Sequence, residues 1–414
     1  MDFATHLKSY LSDEEIQKLT NEFTNDHING LLLNLNKLSV DKILTKYPTL
    51  KPHPIVKNAF IFNSNQLQPG KNIYHELGAY YIQEPSAMIP SYLLDINEDD
   101  LVLDFCAAPG GKTIQAALKM KNKGLIVAND ISKERANSIK ENVERLGLKN
   151  VLIINNDLSL LKNKLHNTFT KIILDAPCSG SGMFKKSENM INDWTYEKVL
   201  KYQKIQKDLI LLAYSFLKPG GILSYSTCSF SKEEDEDVIQ YLLDNSDAEI
   251  NPIPENKVYK KGVNGLGIHI LPHMFPGDGH FICQIKKPGI LKINKENKES
   301  KMKFGDYIFT LPRPFDIKGL NIVRYGLLVG EYKGNDLIYS NHYAHAITDF
   351  NTVINIDKNQ MEKYHHGEQI ATTLKKGELA LLKYDGLNVD ITKSDGCYLK
   401  NRYPKYLRNK NIEY

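Results

Sequence analysis

Between residues 101 and 230 the chain repeats one pattern, in which an apolar run of strand length is followed by a helix-length or loop-length segment. The apolar runs cover residues 101–106, 124–130, 151–157, 171–175 and 221–227. Strands joined by helical crossovers form parallel sheets. We therefore predict an α/β fold whose catalytic part, residues 96–289, is a Rossmann-like, doubly wound sheet.

A glycine-rich turn follows the first of these strands and leads into a helical segment near Thr113. The turn and its approach consist of Cys106, Ala107, Ala108, Pro109, Gly110, Gly111 and Lys112. In nucleotide-cofactor folds such a turn allows close backbone approach to the ligand, and an acid about 20 residues later accepts from a ribose hydroxyl. Asp130 holds that position, so we predict that it is the ribose ligand. Asp157 and Asp175 end the next two strands, at the edge where such sheets bind ligands.

Two cysteines stand at the same edge of the predicted sheet. Cys178 comes three residues after Asp175, and Cys228 directly follows the fifth strand. The fourth and fifth strands of a doubly wound sheet are usually neighbours, so we expect both thiols to face one cavity. A buried structural cysteine is the alternative for either thiol alone.

Two other nucleotide-binding classes share part of this pattern. A P-loop also contains Gly-Lys-Thr, but it requires a further glycine where Cys106 stands, which excludes it. A dehydrogenase shares the glycine turn and the ribose acid. Hydride transfer needs no paired cysteines, so we expect S-adenosyl-L-methionine as the cofactor and a pyrimidine as the acceptor.

The expected chemistry uses one thiolate. Addition of a thiolate to carbon 6 of cytosine makes carbon 5 nucleophilic enough to take a methyl group, after which a base removes the carbon-5 proton and the thiolate leaves. Asp175 is placed to stabilise the adduct at ring nitrogen 3 and the exocyclic amine. The start of the helix after Cys228 could lower the pKa of an attacking thiol.

Composition limits the class of protein. A length of 414 residues suggests two or three domains, and a net charge of +4 does not by itself indicate a polyanion partner. No apolar run is long enough for a membrane span and the N-terminus lacks a signal-peptide pattern, so we expect a cytoplasmic protein with no membrane association. Five cysteines without C-x-x-C spacing argue against a disulfide framework and a metal site.

The regions flanking the predicted sheet have their own patterns. Residues 1–95 read as a small α/β module, opening with a helix capped by Ser12 and Glu15. Ser231 to Glu234 has the form of another capping box, and a catalytic role for Glu233 or Glu234 is the less favoured alternative. Residues 251–278 read as a loop or lid, and residues 280–286 as a strand that completes the sheet.

Residues 290–414 read as a β-rich C-terminal region. Residues 291–300 have linker composition, and residues 323–329 are predicted to form one strand. The tail from residue 393 to residue 410 is basic and contains Tyr398, Tyr403 and Tyr406. Basic side chains with stacking aromatics are typical of an RNA surface, whereas a merely solvated face is the alternative. We expect this region to supply RNA affinity without taking part in the chemistry.

Three segments carry a resemblance to a known family. They are residues 104–112 (Asp-Phe-Cys-Ala-Ala-Pro-Gly-Gly-Lys), 175–182 (Asp-Ala-Pro-Cys-Ser-Gly-Ser-Gly) and 226–229 (Ser-Thr-Cys-Ser). Together they resemble the signatures of the Sun-type RNA cytosine-C5 methyltransferases. The resemblance implies that residues 106–112, Asp130, Asp157 and Asp175 surround S-adenosyl-L-methionine, with Asp157 near the adenine.

The same resemblance distinguishes the two thiols, which the strand argument leaves equivalent. It implies that Cys228 is the nucleophile and that Cys178 assists release of the product. Residues 80–86, 272–273 and 277–281 also resemble family segments, and residues 324–327, 330–331 and 400–405 resemble the RsmF branch. Members of that branch methylate small-subunit ribosomal RNA and carry a PUA-like C-terminal domain.

Two positions depart from the family pattern. Leu32 stands where the N-terminal strand usually has an arginine, and residues 387–391 replace a glycine-rich turn. The resemblance predicts 5-methylcytosine formation in 16S ribosomal RNA, either naked or in the assembled small subunit. Transfer RNA is the alternative substrate, and a non-catalytic RNA-binding or ribosome assembly factor is the alternative outside enzymology. The intact Asp175, Cys178 and Cys228 argue against the second alternative.

Overall fold

The structure is a computed structural model that describes residues 2–186, 191–293, 298–408 and 410–414. Residues 294–297 of the predicted linker and the side chain of Tyr406 lie outside the described residues. The described part of the chain contains no helix that is both long and apolar enough to cross a membrane.

The N-terminal region contains a four-stranded antiparallel sheet in the order β2-β3-β1-β4 with short helices around it. Its strands are β1 (Ile28–Leu33), β2 (Lys51–Pro52), β3 (Ala59–Asn63) and β4 (Tyr80–Gln83), and its helices are α1 (Phe3–Leu7), α2 (Asp13–Asn21), α3 (Val40–Lys46), α4 (Ile73–Glu76) and α5 (Ile89–Leu93). The predicted capping box of α2 is present, because Ser12 and Glu15 bond to each other's backbone N–H groups.

The central region forms the predicted doubly wound sheet. Its strands are β5 (Leu101–Asp104), β6 (Leu125–Asn129), β7 (Val151–Ile154), β8 (Phe169–Asp175), β9 (Leu217–Thr227), β10 (Glu249–Ile250), β11 (Lys260–Lys261), β12 (Ile268–Ile270) and β13 (His280–Lys286). Its helices are α6 (Gly111–Lys119), α7 (Lys133–Leu146), α8 (Lys162–Leu165), α9 (Tyr196–Phe216) and α10 (Glu236–Asp244).

Five parallel strands in the order β9-β8-β5-β6-β7 make up the middle of this sheet. The strand order reverses at β5, so the carboxyl ends of β5, β6 and β8 surround the switch point where such sheets bind ligands. Strand β13 pairs antiparallel with β9, as its alternating pattern predicts, and β12 and β11 extend the sheet beyond β13. The Rossmann-like fold class is confirmed.

Apolar residues cover both faces of the sheet because its strands are buried on two sides. Leu103 and Val127 face a core that includes Ile210 of α9 and Val238 of α10. Val102 and Ile126 face the opposite core, which α6 and α7 close with residues such as Ile114 and Ile139. This double packing makes the strand ends a rigid platform for side chains.

The C-terminal region is β-rich. Its strands are β14 (Ser300–Phe304), β15 (Tyr307–Leu311), β16 (Ile322–Tyr325), β17 (Leu327–Lys333), β18 (Asp336–Tyr339), β19 (Val353–Ile356), β20 (Ile370–Ala371), β21 (Leu379–Tyr384), β22 (Leu387–Lys393) and β23 (Tyr398–Leu399), and its helices are α11 (Asn341–Ala346) and α12 (Lys358–His365). Residues 387–391, where the family pattern has a glycine-rich turn, belong to β22.

The single strand predicted for residues 323–329 is wrong. Gly326, with a φ of 53°, divides it into β16 and β17. Strand β16 pairs with β7 at the edge of the central sheet, whereas β17 pairs with β15 and β18. The C-terminal region therefore contributes a strand to the catalytic sheet.

The N-terminal and C-terminal regions share one hydrophobic core. Leu31, Phe60 and Tyr80 of the first region pack in the same cluster as Met361 and Leu382 of the second. By contrast, helices α1 and α2 belong to another cluster, in which they pack against the loops that follow β8 and β9. Leu32, which stands where the family pattern has an arginine, is buried in a third hydrophobic cluster.

Candidate active site

A cavity of about 290 Å³ lies at the carboxyl ends of β5, β8 and β9. Its walls come from the glycine turn, the end of β8, the residue after β9, and loops from other parts of the chain. The lining residues are Tyr81, Ile82, Gln83, Glu84, Ala87, Asp104, Cys106, Ala107, Ala108, Pro109, Gly111, Lys112, Asp175, Gly182, Met183, Cys228, Asp278, Gly279 and His280. A larger groove of about 880 Å³ at the sheet edge contains neither Cys178 nor Cys228.

The glycine turn shapes one wall of the cavity. Gly110 caps α6 with a φ of 109°, a left-handed conformation that favours glycine. A Cβ on Gly111 would lie 2.7 Å from the Gln83 side-chain nitrogen. The turn therefore packs directly against the N-terminal region, and Gln83 becomes part of the site. Gln83 belongs to residues 80–86, which resemble a family segment.

Asp104, at the end of β5, is a buried acid that lines this cavity. One carboxylate oxygen accepts a 2.5 Å hydrogen bond from the Thr113 hydroxyl. The other, Oδ1, is buried and has no hydrogen-bond partner among the described residues. Burial raises the pKa of the Asp104 carboxyl to about 7. Such an orphaned acceptor is rare in folded proteins and indicates a place for a donor from a ligand.

Asp175, at the end of β8, is paired on both of its carboxylate oxygens. Its Oδ2 accepts from Lys112 Nζ at 2.7 Å, and its Oδ1 accepts from Ser226 Oγ at 2.7 Å and lies 3.2 Å from His280 Nε2. Burial alone favours the neutral acid, but Lys112 and His280 outweigh it and lower the pKa of the Asp175 carboxyl below its ordinary value. The cavity therefore contains a fixed carboxylate.

The two thiols come together at the ends of β8 and β9, which are paired in register at Asp175 and Ser226. Cys178 Sγ and Cys228 Sγ lie 3.2 Å apart as free thiols. Cys228 lines the cavity, whereas Cys178 is not among its lining residues. The hydrogen bond to Cys228, burial and the charges of Glu234 and Asp175 raise the pKa of the Cys178 thiol well above its ordinary value.

The capping box predicted for Ser231 is wrong. Helix α10 begins at Glu236 with Asp235 at its N-cap position, and Ser231 Oγ has no hydrogen-bond partner among the described residues. Glu234 turns instead toward the cysteine loops, where it accepts from Ser179 and Ser229. Asp235, at the start of α10, accepts from the hydroxyl of Thr227, directly before Cys228, at 2.6 Å. The predicted effect of this helix start on an attacking thiol stays a prediction.

Two of the predicted cofactor ligands, Asp130 and Asp157, lie outside the lining of this cavity. Asp130 is buried at the end of β6, where it accepts from Ala108 N at 3.3 Å and lies 3.5 Å from the Arg135 guanidinium. Asp157 is exposed and caps the turn at Ser159. Neither of these two acids is among the residues lining the 290 Å³ cavity, whereas residues 106–109, 111 and 112 are. Burial raises the pKa of the Cys106 thiol.

The sequence pattern missed three contributors to the site. For Glu234 a helix start was favoured over a catalytic role, and His280 was assigned to a strand, in a segment, residues 277–281, that resembles the family. Glu84 lies in residues 80–86, which resemble a family segment, but no role was predicted for it. It accepts from the backbone N–H groups of Ser86 and Asp278 and so joins the N-terminal region to the loop before β13. Of the predicted lid, Asp278 lines the cavity, whereas residues 260–261 and 268–270 form strands.

The predicted RNA tail divides into two groups of side chains. Tyr403 is buried in the shared core, Arg402 donates to the Tyr339 carbonyl, and Arg408 donates to the Tyr403 carbonyl. Tyr403 therefore serves the fold, contrary to the expectation that it belongs to an RNA surface, whereas RNA contact by the half-buried Arg402 and Arg408 stays a prediction. Lys400 and Lys405 are exposed.

The residues of the cavity fit a nucleoside cofactor that carries a cationic amino acid portion. The glycine turn provides close backbone approach, and the orphaned Asp104 oxygen provides an acceptor for an ammonium group. The doubly wound sheet carries these features at its switch point, and the chain also matches methyltransferase family models. Together these observations define an S-adenosylmethionine-dependent methyltransferase.

Comparison with known proteins gives the family. Residues 91–286 match the family described as 16S rRNA methyltransferase RsmB/F, residues 1–85 the N-terminal domain of 16S rRNA methyltransferase RsmF, and residues 351–409 the methyltransferase RsmF PUA domain. The ribosomal RNA small subunit methyltransferase F of Vibrio vulnificus strain YJ016 is 30% identical over 434 residues, covering 92% of each chain. The chain belongs to the ribosomal RNA small subunit methyltransferase F family.

Further relatives agree with this assignment. The enzyme of the same name from Shewanella amazonensis is 29% identical over 88% of this chain and 87% of its own. A solved methyltransferase homologue from Pyrococcus horikoshii is 32% identical, with a TM-score of 0.59, and covers 67% of this chain and 92% of its own. NSun6 from Pyrococcus horikoshii, at 21% identity, shares the fold with a TM-score of 0.63 over 70% of this chain and 98% of its own.

Proposed function

We propose that this chain methylates carbon 5 of cytosine in RNA, with small-subunit ribosomal RNA as its target. One observation carries the proposal: Cys228 lines the cavity together with the Asp175 carboxylate, and a second thiol, Cys178, lies 3.2 Å from it. A single cysteine beside an acid could be structural, but two free thiols on adjacent strand ends match a reaction that must both form and break a carbon–sulfur bond.

The chain's own residues perform the following steps. Cys228, as the thiolate, adds to carbon 6 of the cytosine, and the electrons of the 5,6 double bond move to carbon 5. When bound, S-adenosylmethionine supplies an electrophilic methyl group, which carbon 5 receives. A base then takes the carbon-5 proton, the double bond re-forms, and the Cys228 sulfur leaves. Cys178 Sγ lies 3.2 Å from the Cys228 sulfur and is placed to assist the release of that sulfur.

Asp175 has a defined role in this scheme. Because its carboxylate is ionised, it can accept from the exocyclic amine of cytosine but has no proton to donate to ring nitrogen 3. Uracil carries an oxygen in place of the exocyclic amine. That oxygen and the Asp175 carboxylate would be two acceptors facing each other. The pairing of Asp175 with Lys112 and His280 therefore supports cytosine as the base.

The RNA target is supported by similarity. The relatives in the family are named for ribosomal RNA of the small subunit, and residues 351–409 match a PUA domain. We infer that RNA docks across the N-terminal and C-terminal regions. The three cofactor assignments made from strand ends, Asp130, Asp157 and Asp175, are part of the proposal.

The thiol roles are tested with two variants supplied with cofactor and target RNA. Cys228→Ala should abolish methylation and form no covalent adduct, because carbon 5 is never activated. Cys178→Ala should complete methyl transfer but release slowly, so that protein joined to RNA accumulates on a denaturing gel. Adduct formation by Cys228→Ala alone would reverse the roles, and full activity of both variants without any adduct would refute the thiol mechanism.

The RNA target is tested in cells. Mapping of 5-methylcytosine in ribosomal and transfer RNA, with and without this gene, should show a loss confined to small-subunit ribosomal RNA. A loss in transfer RNA would identify that substrate instead. No loss in either RNA would contradict the proposed activity.

A further inference from the structure

Glu234 is a fully buried acid that lies between the loops of the two thiols. Its Oε1 accepts from Ser179 N at 2.8 Å and from Gln206 Nε2 at 3.0 Å. Its Oε2 accepts from Ser229 Oγ at 2.6 Å and also from the Ser179 hydroxyl. Ser179 directly follows Cys178, and Ser229 directly follows Cys228. One carboxylate therefore holds the residues next to both thiols.

Other contacts make this arrangement stiff. The Gln206 amide that donates to Glu234 also donates to the Pro177 carbonyl, just before Cys178, at 2.9 Å. The Tyr225 hydroxyl donates to the Glu234 carbonyl at 2.6 Å, which ties the acid to strand β9. The two loops also bond directly, since Gly182 N donates to the Cys228 carbonyl. Displacement of Glu234 would release the loops at a point beside each sulfur.

We propose that Glu234 is a positioning residue that holds the Cys178 and Cys228 loops at the separation at which both thiols can act on one base in sequence. The inference rests on the proposed function, because it assumes that the two thiols have successive roles. Glu234 itself is not among the residues that line the cavity, so it acts through the loops and not by contact with the base.

The hydrogen bonds suggest how to separate geometry from charge. A backbone N–H and an amide N–H can only donate, so Oε1 must remain an acceptor, whereas the two serine hydroxyls can reverse their direction. A glutamine can keep all four contacts by accepting through its oxygen and donating to the hydroxyls. Glu234→Gln therefore preserves the geometry without the charge, and Glu234→Ala removes the geometry.

The experiment compares Glu234→Ala, Glu234→Gln and Glu233→Ala in steady-state and single-turnover reactions with S-adenosylmethionine and target RNA. Glu233, the matched control, pairs with His6 and Tyr196 outside the cysteine loops. We expect Glu234→Ala to lose about 100-fold in kcat, the usual effect of misplacing a reacting group by about 1 Å, with little change in KM for the cofactor. It should also accumulate RNA adduct, as Cys178→Ala does. Glu234→Gln and Glu233→Ala should keep near-normal rates.

Each outcome decides the inference. Unchanged kcat in Glu234→Ala would overturn it, as would an equal loss in Glu234→Gln. If Glu234→Ala fails to bind cofactor and is misfolded, Glu234→Asp replaces it, since the shorter acid keeps the charge but cannot span both loops; full activity of Glu234→Asp would then overturn the inference. Failure of the proposed function is recognised separately, because the unaltered protein would then form no 5-methylcytosine and Cys178→Ala no adduct.

Discussion

At the scale of single residues, Asp104 gives a direct test of the cofactor site. Burial raises the pKa of its carboxyl to about 7, so the acid is neutral below that pH and ionised above it. A cationic ammonium group prefers the ionised form. Cofactor affinity should therefore rise with pH, by up to about tenfold per unit below pH 7, and level off above it.

Calorimetry between pH 6 and pH 8 measures this dependence. Asp104→Asn should bind weakly and lose the slope below pH 7. The matched control is Asp100→Asn, a buried acid at the opposite end of β5 that accepts from Thr170 and Asn97. A pH slope that survives in Asp104→Asn would show that another group contacts the ammonium.

Lys112 controls the charge of the neighbouring acid. Its ammonium is among the causes that lower the pKa of the Asp175 carboxyl below the ordinary value, so the acid stays ionised as pH falls. Lys112→Met should raise that pKa, and activity should then be lost at a higher pH on acidification than in the unaltered protein. The kcat–pH profile checks this shift, with Lys121→Met on the exposed turn after α6 as the control. An identical acid limb in both variants would contradict it.

At the scale of elements, two Ser-x-x-Glu segments with the same sequence pattern differ in structure. Ser12 caps α2 with Glu15 in a complete capping box, whereas Ser231 caps no helix. Ser12→Ala should reduce stability by about 1 kcal/mol. Ser231→Ala should be neutral or stabilising, because Ser231 Oγ is buried without a partner among the described residues. Thermal unfolding of the two variants measures the contrast. An equal fall in Tm would show that Ser231 caps a helix after all.

At the scale of the whole molecule, we expect the rest of the chain to depend on the C-terminal region for its stability. Removal of residues 291–414 would take β16 from the edge of the central sheet and open the core that Met361 and Leu382 share with Phe60. The truncated protein should have a lower Tm and weaker cofactor binding than the full chain. Thermal unfolding and calorimetry test this, and equal values for both proteins would show that residues 1–290 fold independently.

RNA affinity is better tested with surface substitutions. Lys400 and Lys405 are exposed, so Lys400→Ala with Lys405→Ala should weaken RNA binding and reduce the slope of log affinity against log salt by about 1 for each lost phosphate contact. Arg402→Ala should instead lower Tm, because Arg402 donates to the Tyr339 carbonyl. Binding titrations at several salt concentrations distinguish the two effects, and an unchanged slope in the double lysine variant would exclude both lysines from the RNA contact.

Much of the central sheet follows from the sequence alone. Strand-length apolar runs, the glycine turn and the acids at strand ends are local patterns, and the rule that ligands bind at the carboxyl edge converts them into a site. That reasoning was sufficient to bring Asp175, Cys178 and Cys228 to one edge of the sheet. It could not assign different roles to the two cysteines, because both follow equivalent strand ends.

Only the tertiary structure decided the features that depend on distant partners. Glu234 meets Ser179 across 55 positions, β16 joins β7 from another region, and the N-terminal and C-terminal regions close one core between them. Local propensity predicted a helix start for residues 231–234, but in the structure the Glu234 carboxylate is buried and accepts from four donors outside this stretch. These features depend on packing between residues that are far apart in the chain. A short stretch of sequence does not specify which distant residues it will contact.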